Sequence, residues 1–361
     1  MFTKSLTDLL PFGKKETFGL DIGSSSIKLV QLGEGKKGYF LTKVGMVDLP
    51  GETIVDGSII DSTAVVGAIR DLVREHNVKA RNVASSISGH SVIIKKVELP
   101  VMTEDELADS IQWEAEQYIP FDINDVNIDF QIMGVDAEGK GQMEVLLVAC
   151  KKEVINDYTN VIREAGLNPV VIDIDSFSLE NMFEISYSFS EEENIVLVNI
   201  GAGGMNINVL RGGMTSFSRD IPVGGYRYTE EIQKEMNLSF QDAETLKITG
   251  ALEGRDLGKD VGPVIDKMSN VIAQEVKRTL DFFLATSAGG YVSKIYMSGG
   301  SSIFPALPET IHEKTGVVVE RINPFNNLDV SKEGFDPDYL KKVAPFMGVG
   351  VGLAIRRVGD R

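Results

Sequence analysis

Three short stretches of this chain combine glycine, hydroxyl side chains and single charges at strand ends, a pattern suited to holding phosphate. DIGSSSIK (21–28) is the end of an apolar strand that closes on a carboxylate and turns straight back into a second strand. Gly23 lets a ligand approach the backbone, and the amides and hydroxyls of Ser24, Ser25 and Ser26 can donate to phosphate oxygens. Lys28 can reach the same anion, and Asp21 offers the hard oxygen that suits a hydrated Mg²⁺. A plain tight hairpin draws on the same residue types, so this motif alone does not separate the two readings. A second copy shifts the balance: NIGAGG (199–204) repeats the layout, and two facing turns of small residues can clamp a polyphosphate from both sides. A third stretch, IYMSGGSS (295–302), runs an apolar strand into a glycine turn ahead of a helical pattern at 306–314. Such a turn offers backbone to a ring or sugar, and the helix start that follows attracts an anion.

The elements that must carry these turns are legible as an internal repeat. Residues 18–32 and 196–210 share one layout, with Asp21 falling on Asn199, Gly23 on Gly201, Ser24 on Ala202 and Leu32 on Leu210. Two copies half a chain apart imply two similar lobes with any shared ligand between them. Stretches 18–22, 27–31, 42–49 and 83–88 read as strands, and 63–75 as a helix with Val66, Ile69, Leu72 and Val73 on one face. The class is therefore mixed α/β. Between the lobe starts the texture changes. Residues 103–118 predict a helix opened by a Thr103/Glu106 capping box and stopped by Pro120. Leu107, Ile111, Ala115 and Tyr118 form its apolar stripe, and Trp113 points the other way. A polar hairpin turn at 136–142, a buried strand at 145–149 and a helix at 152–165 ended by Gly166 complete an inserted subdomain over 88–167.

Composition narrows the function. A length of 361 residues suits two domains. The net charge of −17 repels a phosphate backbone, which argues against nucleic acid, and repels anionic lipid, so any membrane association is expected to be indirect. One cysteine, Cys150, excludes an intramolecular disulfide or a thiolate metal cluster and fits a reducing, cytoplasmic setting. The longest apolar stretch, 344–355, is broken by Pro345, Gly348, Gly350 and Gly352 and is too short to span a bilayer. Residues 1–15 lack the layout of a signal peptide and read as a frayed or weakly amphipathic arm. Glycine, histidine and asparagine patterns elsewhere match no P-loop, dinucleotide fingerprint or metal-ligand spacing.

DIGSSSIK, NIGAGG and MSGGSS, in this order and at these distances, resemble the phosphate-1, phosphate-2 and adenosine motifs of the actin-like ATPase superfamily. Within it, DIGSSSIKLVQL (21–32), LPVMTEDELADSIQWEAEQYIPF (99–121) and GGYRYTEEI (224–232) are similar to the PilM family of type IV pilus assembly, from about residue 11 onward. The resemblance implies a two-lobed actin-like ATPase fold of duplicated ribonuclease-H-like domains with an FtsA-like inserted subdomain in the first lobe. Its expected division is an arm at 1–15, a first lobe at 16–87 and 168–193 with 345–361 returning to it, the insertion at 88–167, and a second lobe at 194–344 carrying a nucleotide-binding insertion near 226–290. A connecting helix at 345–353 would cross back to the first lobe.

It further implies ATP with Mg²⁺. Gly23, Ser24, Ser25, Ser26 and Lys28 would contact phosphates, Asp21 the metal, and Asn199, Gly201, Ala202 and Gly203 would face them from the second lobe. Gly299, Gly300 and Ser301 would hold adenosine, and Glu244 and Lys247, in AETLK, resemble residues that grip adenine and ribose, although an i,i+3 charge pair is also an ordinary solvated helix pair. Asp175 is the one candidate to orient water, with a helix N-cap as its alternative. The second phosphate turn of the superfamily usually begins with Asp. Asn199 takes up no proton and is a weaker Mg²⁺ ligand, so at most slow hydrolysis is expected.

The implied partner is the cytoplasmic N-terminal peptide of the inner-membrane protein PilN, captured in a groove lined by the insertion and the first lobe, with Trp113 as a candidate anchor. That places the chain in the cytoplasm, peripheral at the inner membrane through protein partners, with room for contacts to pilus motor proteins and for self-association. Two other readings on the same fold are an FtsA-like filament protein and a small-molecule kinase or ATPase. The first tethers by a C-terminal amphipathic helix, which the residues after 355 do not suggest; the second needs a sugar-binding constellation that the sequence does not display.

Overall fold

The structure is a computed structural model that describes residues 16–36, 38–135, 141–190, 192–287 and 290–360. The arm at 1–15 and most of the turn expected at 136–142 lie outside these. The first lobe opens with a meander, β1 (Thr17–Ile22), β2 (Ser26–Gly35) and β3 (Gly38–Asp48), followed by a small hairpin of β4 (Ile54–Val55) and β5 (Ser58–Ile59). Every residue of β1 is buried, as a central strand requires. Helix α1 (Ser62–Glu75) is capped by Asp61, which accepts from the Ala64 amide, and buries Val65, Val66, Ile69 and Leu72. Strand β6 (Asn82–Ile87) runs parallel to β1.

The chain then leaves for the inserted unit: β7 (Val92–Pro100), α2 (Glu104–Glu116), β8 (Val126–Val135) and β9 (Gln142–Lys151), a sheet in the order β7-β9-β8. The capping box forms as the sequence predicts, with the Glu106 carboxylate accepting from the Thr103 amide at 2.8 Å. Leu107, Ile111 and Ala115 pack on one sheet face with Val97, Leu99, Val145, Leu147 and Ala149. The opposite face turns Val92 and Cys150 into the first-lobe core. Helix α3 (Lys152–Glu164) follows, then β10 (Asn168–Ile174), parallel to β6, and α4 (Asp175–Ser186).

The second lobe repeats the plan. β11 (Asn194–Ile200), β12 (Met205–Arg211) and β13 (Met214–Ile221) form the meander. Helices α5 (Gly225–Met236) and α6 (Phe240–Thr249), the two-residue strands β14 (Ala251–Leu252) and β15 (Arg255–Asp256), and the long α7 (Gly258–Thr286) come next. β16 (Val292–Ser298), α8 (Ala306–Thr315) and β17 (Val319–Arg321) complete the sheet, and α9 (Pro337–Val343) and α10 (Gly348–Ala354) return to the first lobe. The two five-stranded sheets, β10-β6-β1-β2-β3 and β13-β12-β11-β16-β17, carry the same arrangement of three antiparallel and two further parallel strands. Ile232, Ala243, Leu246, Val261 and Val264 give α5, α6 and the start of α7 a small core of their own.

Three expectations are corrected. Helix α3 belongs with the first lobe and not with the insertion, because Val154, Tyr158, Val161 and Ile162 bury in the core that holds Phe18 and Leu20. The return to the first lobe begins before 345: Leu41 donates to the Asp329 carbonyl and Asp329 to that of Tyr39, each at 3.1 Å, which lays the segment after β17 along β3. Trp113 is 77 % exposed on the outer side of α2, with the inserted sheet between it and the first-lobe core, so it lines no groove between the two.

The lobes share a core through α4 and α10. Val30 and Leu41 of the first sheet, Leu179 and Phe183 of α4, Leu197 and Leu210 of the second sheet, and Met347 and Val351 form one cluster. Glycines permit this approach. A Cβ on Gly352 would overlap the Ser178 carbonyl of α4, and one on Gly19 of β1 would overlap the Gly350 carbonyl.

Candidate functional site

Asp21 and Lys28 oppose each other across β1 and β2, with Nζ 3.3 Å from Oδ2 and both side chains about nine-tenths buried. The turn between them closes by the Gly23 amide donating to the Ser26 carbonyl at 3.1 Å. A Cβ on Gly23 would stand 2.8 Å from Lys28 Nζ, so the ammonium lies over the turn. Burial pushes the Asp21 carboxyl above its ordinary range, the Lys28 ammonium pulls it back and the Asp175 carboxylate raises it again. Ser24 and Ser25 occupy the half-exposed tip. Ser26, expected in the tip, is buried inside β2.

In the second hairpin Asn199 and Asn206 occupy the cross-strand register that Asp21 and Lys28 hold in the first. The Gly201 amide closes this turn on the Gly204 carbonyl at 2.9 Å. The start of α5 then takes up the turn's carbonyls: Gly225 N–H donates to Gly201 and Tyr226 N–H to Ala202, each at 2.8 Å. Glycine is required here, because a Cβ on Gly224 would stand 2.6 Å from the Gly201 carbonyl and 2.7 Å from that of Ala202. The amides of Ser24, Ser25, Ala202 and Gly203 are not consumed by the backbone bonds that close the turns. The two tips meet, with Ser24 Oγ 3.0 Å from a Cβ placed on Gly203.

The third turn joins from the same side. Gly299, at φ +90°, packs its Cα on the Ile200 backbone and donates to the Pro345 carbonyl at 2.8 Å. Gly300 faces the Phe346 ring, and Ser301, buried, lies 3.0 Å from a Cβ placed on Gly225. Glu244 and Lys247 are no solvated pair. Lys247 Nζ donates to Glu244 Oε2 at 2.6 Å, Thr229 Oγ1 at 3.0 Å and the Gly225 carbonyl at 3.1 Å, and its side chain is 7 % exposed. Burial lowers its affinity for the proton and the Glu244 carboxylate restores part of it. Asp175 is the first residue of α4 and not its cap, which is Ile174; its carboxylate accepts from Ser86 Oγ at 2.6 Å.

Two residues escaped the sequence reading. Asp220 at the end of β13 accepts from Asn206 Nδ2 at 2.7 Å and from the Gly89 amide of the first lobe at 2.9 Å, and burial raises its carboxyl. Tyr226 donates its hydroxyl to the Ser24 carbonyl at 3.0 Å, again across the lobes. Tyr226 lies inside the stretch 224–232 that carried the family resemblance; nothing in the spacing around Asp220 marked it.

The turns fit a triphosphate chemically: free amides, a hydroxyl tip and a buried ammonium converge from two lobes. Among the described residues no three His, Cys, Asp or Glu side chains converge to hold a metal; the Asp175 carboxylate stands close enough to Asp21 to raise its carboxyl, without a third such group. No helix of the described residues is long and apolar enough to cross a membrane.

A repeated sheet in each lobe, a glycine-rich hairpin from each meeting at the cleft and a shared helical joint define an actin-like ATPase fold. Residues 19–358 match the family described as Type IV pilus assembly protein PilM. The chain belongs to that family. It is 27 % identical to a chain of the structure described as the PilM-PilN type IV pilus biogenesis complex, covering 96 % of this chain and 99 % of that one with a TM-score of 0.84. It is 22 % identical over 365 residues to the cell division protein FtsA of Streptococcus pneumoniae, covering 88 % of this chain and 77 % of that protein. The ethanolamine utilization protein EutJ of Carboxydothermus hydrogenoformans shares the fold at 15 % identity, with a TM-score of 0.57 over 96 % of this chain and 90 % of that one.

Proposed function

We propose that this chain is a nucleotide-binding scaffold of type IV pilus assembly, which holds ATP between its two glycine hairpins and docks the cytoplasmic N-terminal peptide of PilN. The observation that carries the reading is the end-to-end likeness to a chain of the PilM-PilN complex. Peptide capture brings the chain to the inner membrane through a partner, in keeping with a surface of net charge −17 that anionic lipid repels.

Within the cleft, Lys28 and the amides of Ser24, Ser25, Ala202 and Gly203 would bind the phosphates. Glu244, Lys247, Gly299, Gly300 and Ser301 would hold the nucleoside. Mg²⁺ would arrive with the triphosphate, whose oxygens and waters supply most of its ligands, beside Asp21. Asp175, fixed by Ser86, would orient water, and with Asn199 where a carboxylate would serve, turnover is slow or absent.

Calorimetric titration of a synthetic peptide of the cognate PilN N-terminus into the full chain tests the partner. Saturable binding is expected, and replacing residues 95–147 by a short linker, which leaves Val92 and Cys150 in the first-lobe core, is expected to abolish it in a chain that still melts cooperatively. No binding to the full chain overturns the scaffold reading, and undiminished binding by the shortened chain overturns the placement of the groove.

A further inference from the structure

Beyond the shared joint, the lobes touch where α5 begins. The Tyr226 hydroxyl donates to the Ser24 carbonyl, while the amide of the same residue donates to Ala202 in the second turn. One residue thus ties both phosphate-type turns, one through its side chain and the other through its main chain. Its ring is seated on Phe240, the first residue of α6, edge on, with centroids 5.5 Å apart and planes at 67°. Phe240 in turn lies against the loop after β3, its ring 3.7 Å from a Cβ placed on Gly51. The second-lobe insertion therefore rests on the first lobe at two points, through one aromatic pair.

We propose, resting on the nucleotide reading above, that Tyr226 is a positioning residue that clasps the two phosphate turns together and sets how fast a bound nucleotide leaves. Tyr228 provides the internal contrast. It is fully buried, and its hydroxyl meets Ser269 inside its own lobe at 3.1 Å, which makes it a core residue. Tyr226 is only partly buried, and its hydroxyl crosses to the other lobe. Burial, and the Glu244 carboxylate beside it, push the Tyr226 phenol up to about 12, so the hydroxyl remains a donor throughout the physiological range. Opening the cleft breaks this bond and parts Phe240 from the Gly51 loop. The clasp is closed before a ligand binds and closes again around it, so it slows release as it slows every opening of the cleft.

The test uses the full chain with a fluorescent N-methylanthraniloyl ATP. Tyr226→Phe keeps the ring on Phe240 and removes only the hydroxyl. Release is expected to accelerate about three- to tenfold, the range of one neutral hydrogen bond. Phe240→Leu is expected to accelerate release as well, with the hydroxyl intact. A nucleotide-free readout accompanies it: spin labels on Lys79→Cys and Lys234→Cys, both exposed positions, with Cys150 left in place because it is buried and its thiol is pushed up to about 12. The wild-type background is expected to give one narrow interlobe distance and Tyr226→Phe a broader, longer one. An unchanged release rate or an unchanged distance distribution in Tyr226→Phe overturns the proposal. Absence of fluorescent-nucleotide binding to the wild-type chain overturns the nucleotide reading instead, and the distances then still decide whether Tyr226 holds the cleft.

Discussion

The two hairpins share a backbone and differ in what they do with charge. In the first, the cross-strand pair at the base of the turn is Asp21 and Lys28; in the second it is Asn199 and Asn206. The first turn therefore carries its own ion pair inside the lobe, and the second carries none. The second turn is held from outside, by the amides of Gly225 and Tyr226 on its carbonyls and by Asp220 on Asn206. Duplication preserved the geometry and let the chemistry diverge. A buried ion pair resists loss of either member, whereas an amide pair can be exchanged at lower cost.

The sharpest way to break this asymmetry is to discharge the first hairpin. Asp21→Ala with Lys28→Ala removes both charges at once, so no ion is stranded in the interior. Mg²⁺-ATP affinity is expected to fall at least about 100-fold by calorimetry, since the buried ammonium over the first turn is gone, while cooperative melting persists. Retained affinity would assign the phosphates elsewhere. Stability should order the single variants differently. Lys28→Ala leaves Asp21 buried and unpaired and is expected to cost about 3–5 kcal/mol in urea unfolding. Asn206→Ala, which strips Asp220 of one of its two donors, is expected to cost about 1–3 kcal/mol. Equal costs would mean that the charge of the first hairpin is not what distinguishes it.

Restoring charge to the second hairpin is the converse experiment. Asn199→Asp places a carboxylate in the register of Asp21 and is expected to raise single-turnover ATP hydrolysis about tenfold, a change of about 1.4 kcal/mol in barrier. Rapid hydrolysis by the wild-type chain, or an Asp variant that binds ATP and is no faster, would show that position 199 does not limit the chemistry. The smallest effect is expected behind the second hairpin. Glu180 of α4 reaches Asn208 and Thr215 across the lobes, and burial, opposed by those two hydrogen bonds, raises its carboxyl from 4.5 to about 7. The folded chain then holds a proton that the unfolded chain releases, so the stabilisation present below pH 4.5 is lost as pH rises toward about 7. Glu180→Gln is expected to flatten that decline in melting temperature. An unaltered slope would remove Glu180 as its source.

What the sequence made legible was local. The turns, the capping box and the repeat are each written within a dozen or so neighbouring residues, where residue type and backbone geometry are directly linked. What it hid depended on distant partners. The stripe on α3 shows that one face is buried but not against which core, so Val154 and Ile162 read equally well as part of the insertion. Glu244 and Lys247 have the spacing of a surface pair, and only the arrival of Gly225 and Thr229 buries the lysine. Tyr226 and Ser24 stand 202 residues apart. The spacing sets Trp113 off the apolar stripe of α2, yet periodicity within one helix cannot tell which neighbour lies beyond it.

The glycines of α10 have a consequence for the order in which the molecule is made. This helix beds against Gly19 of β1 and Ser178 of α4, so the first lobe is finished by residues synthesised after nearly all of the second. A nascent chain emerging from the ribosome can pair β1 with β2 early, but that hairpin stays unsupported on one face until translation has passed residue 354. The first lobe therefore cannot be finished ahead of the second, whose sheet has a core of its own. A polypeptide that has not yet delivered α10 has no finished first lobe to set against the second across the cleft.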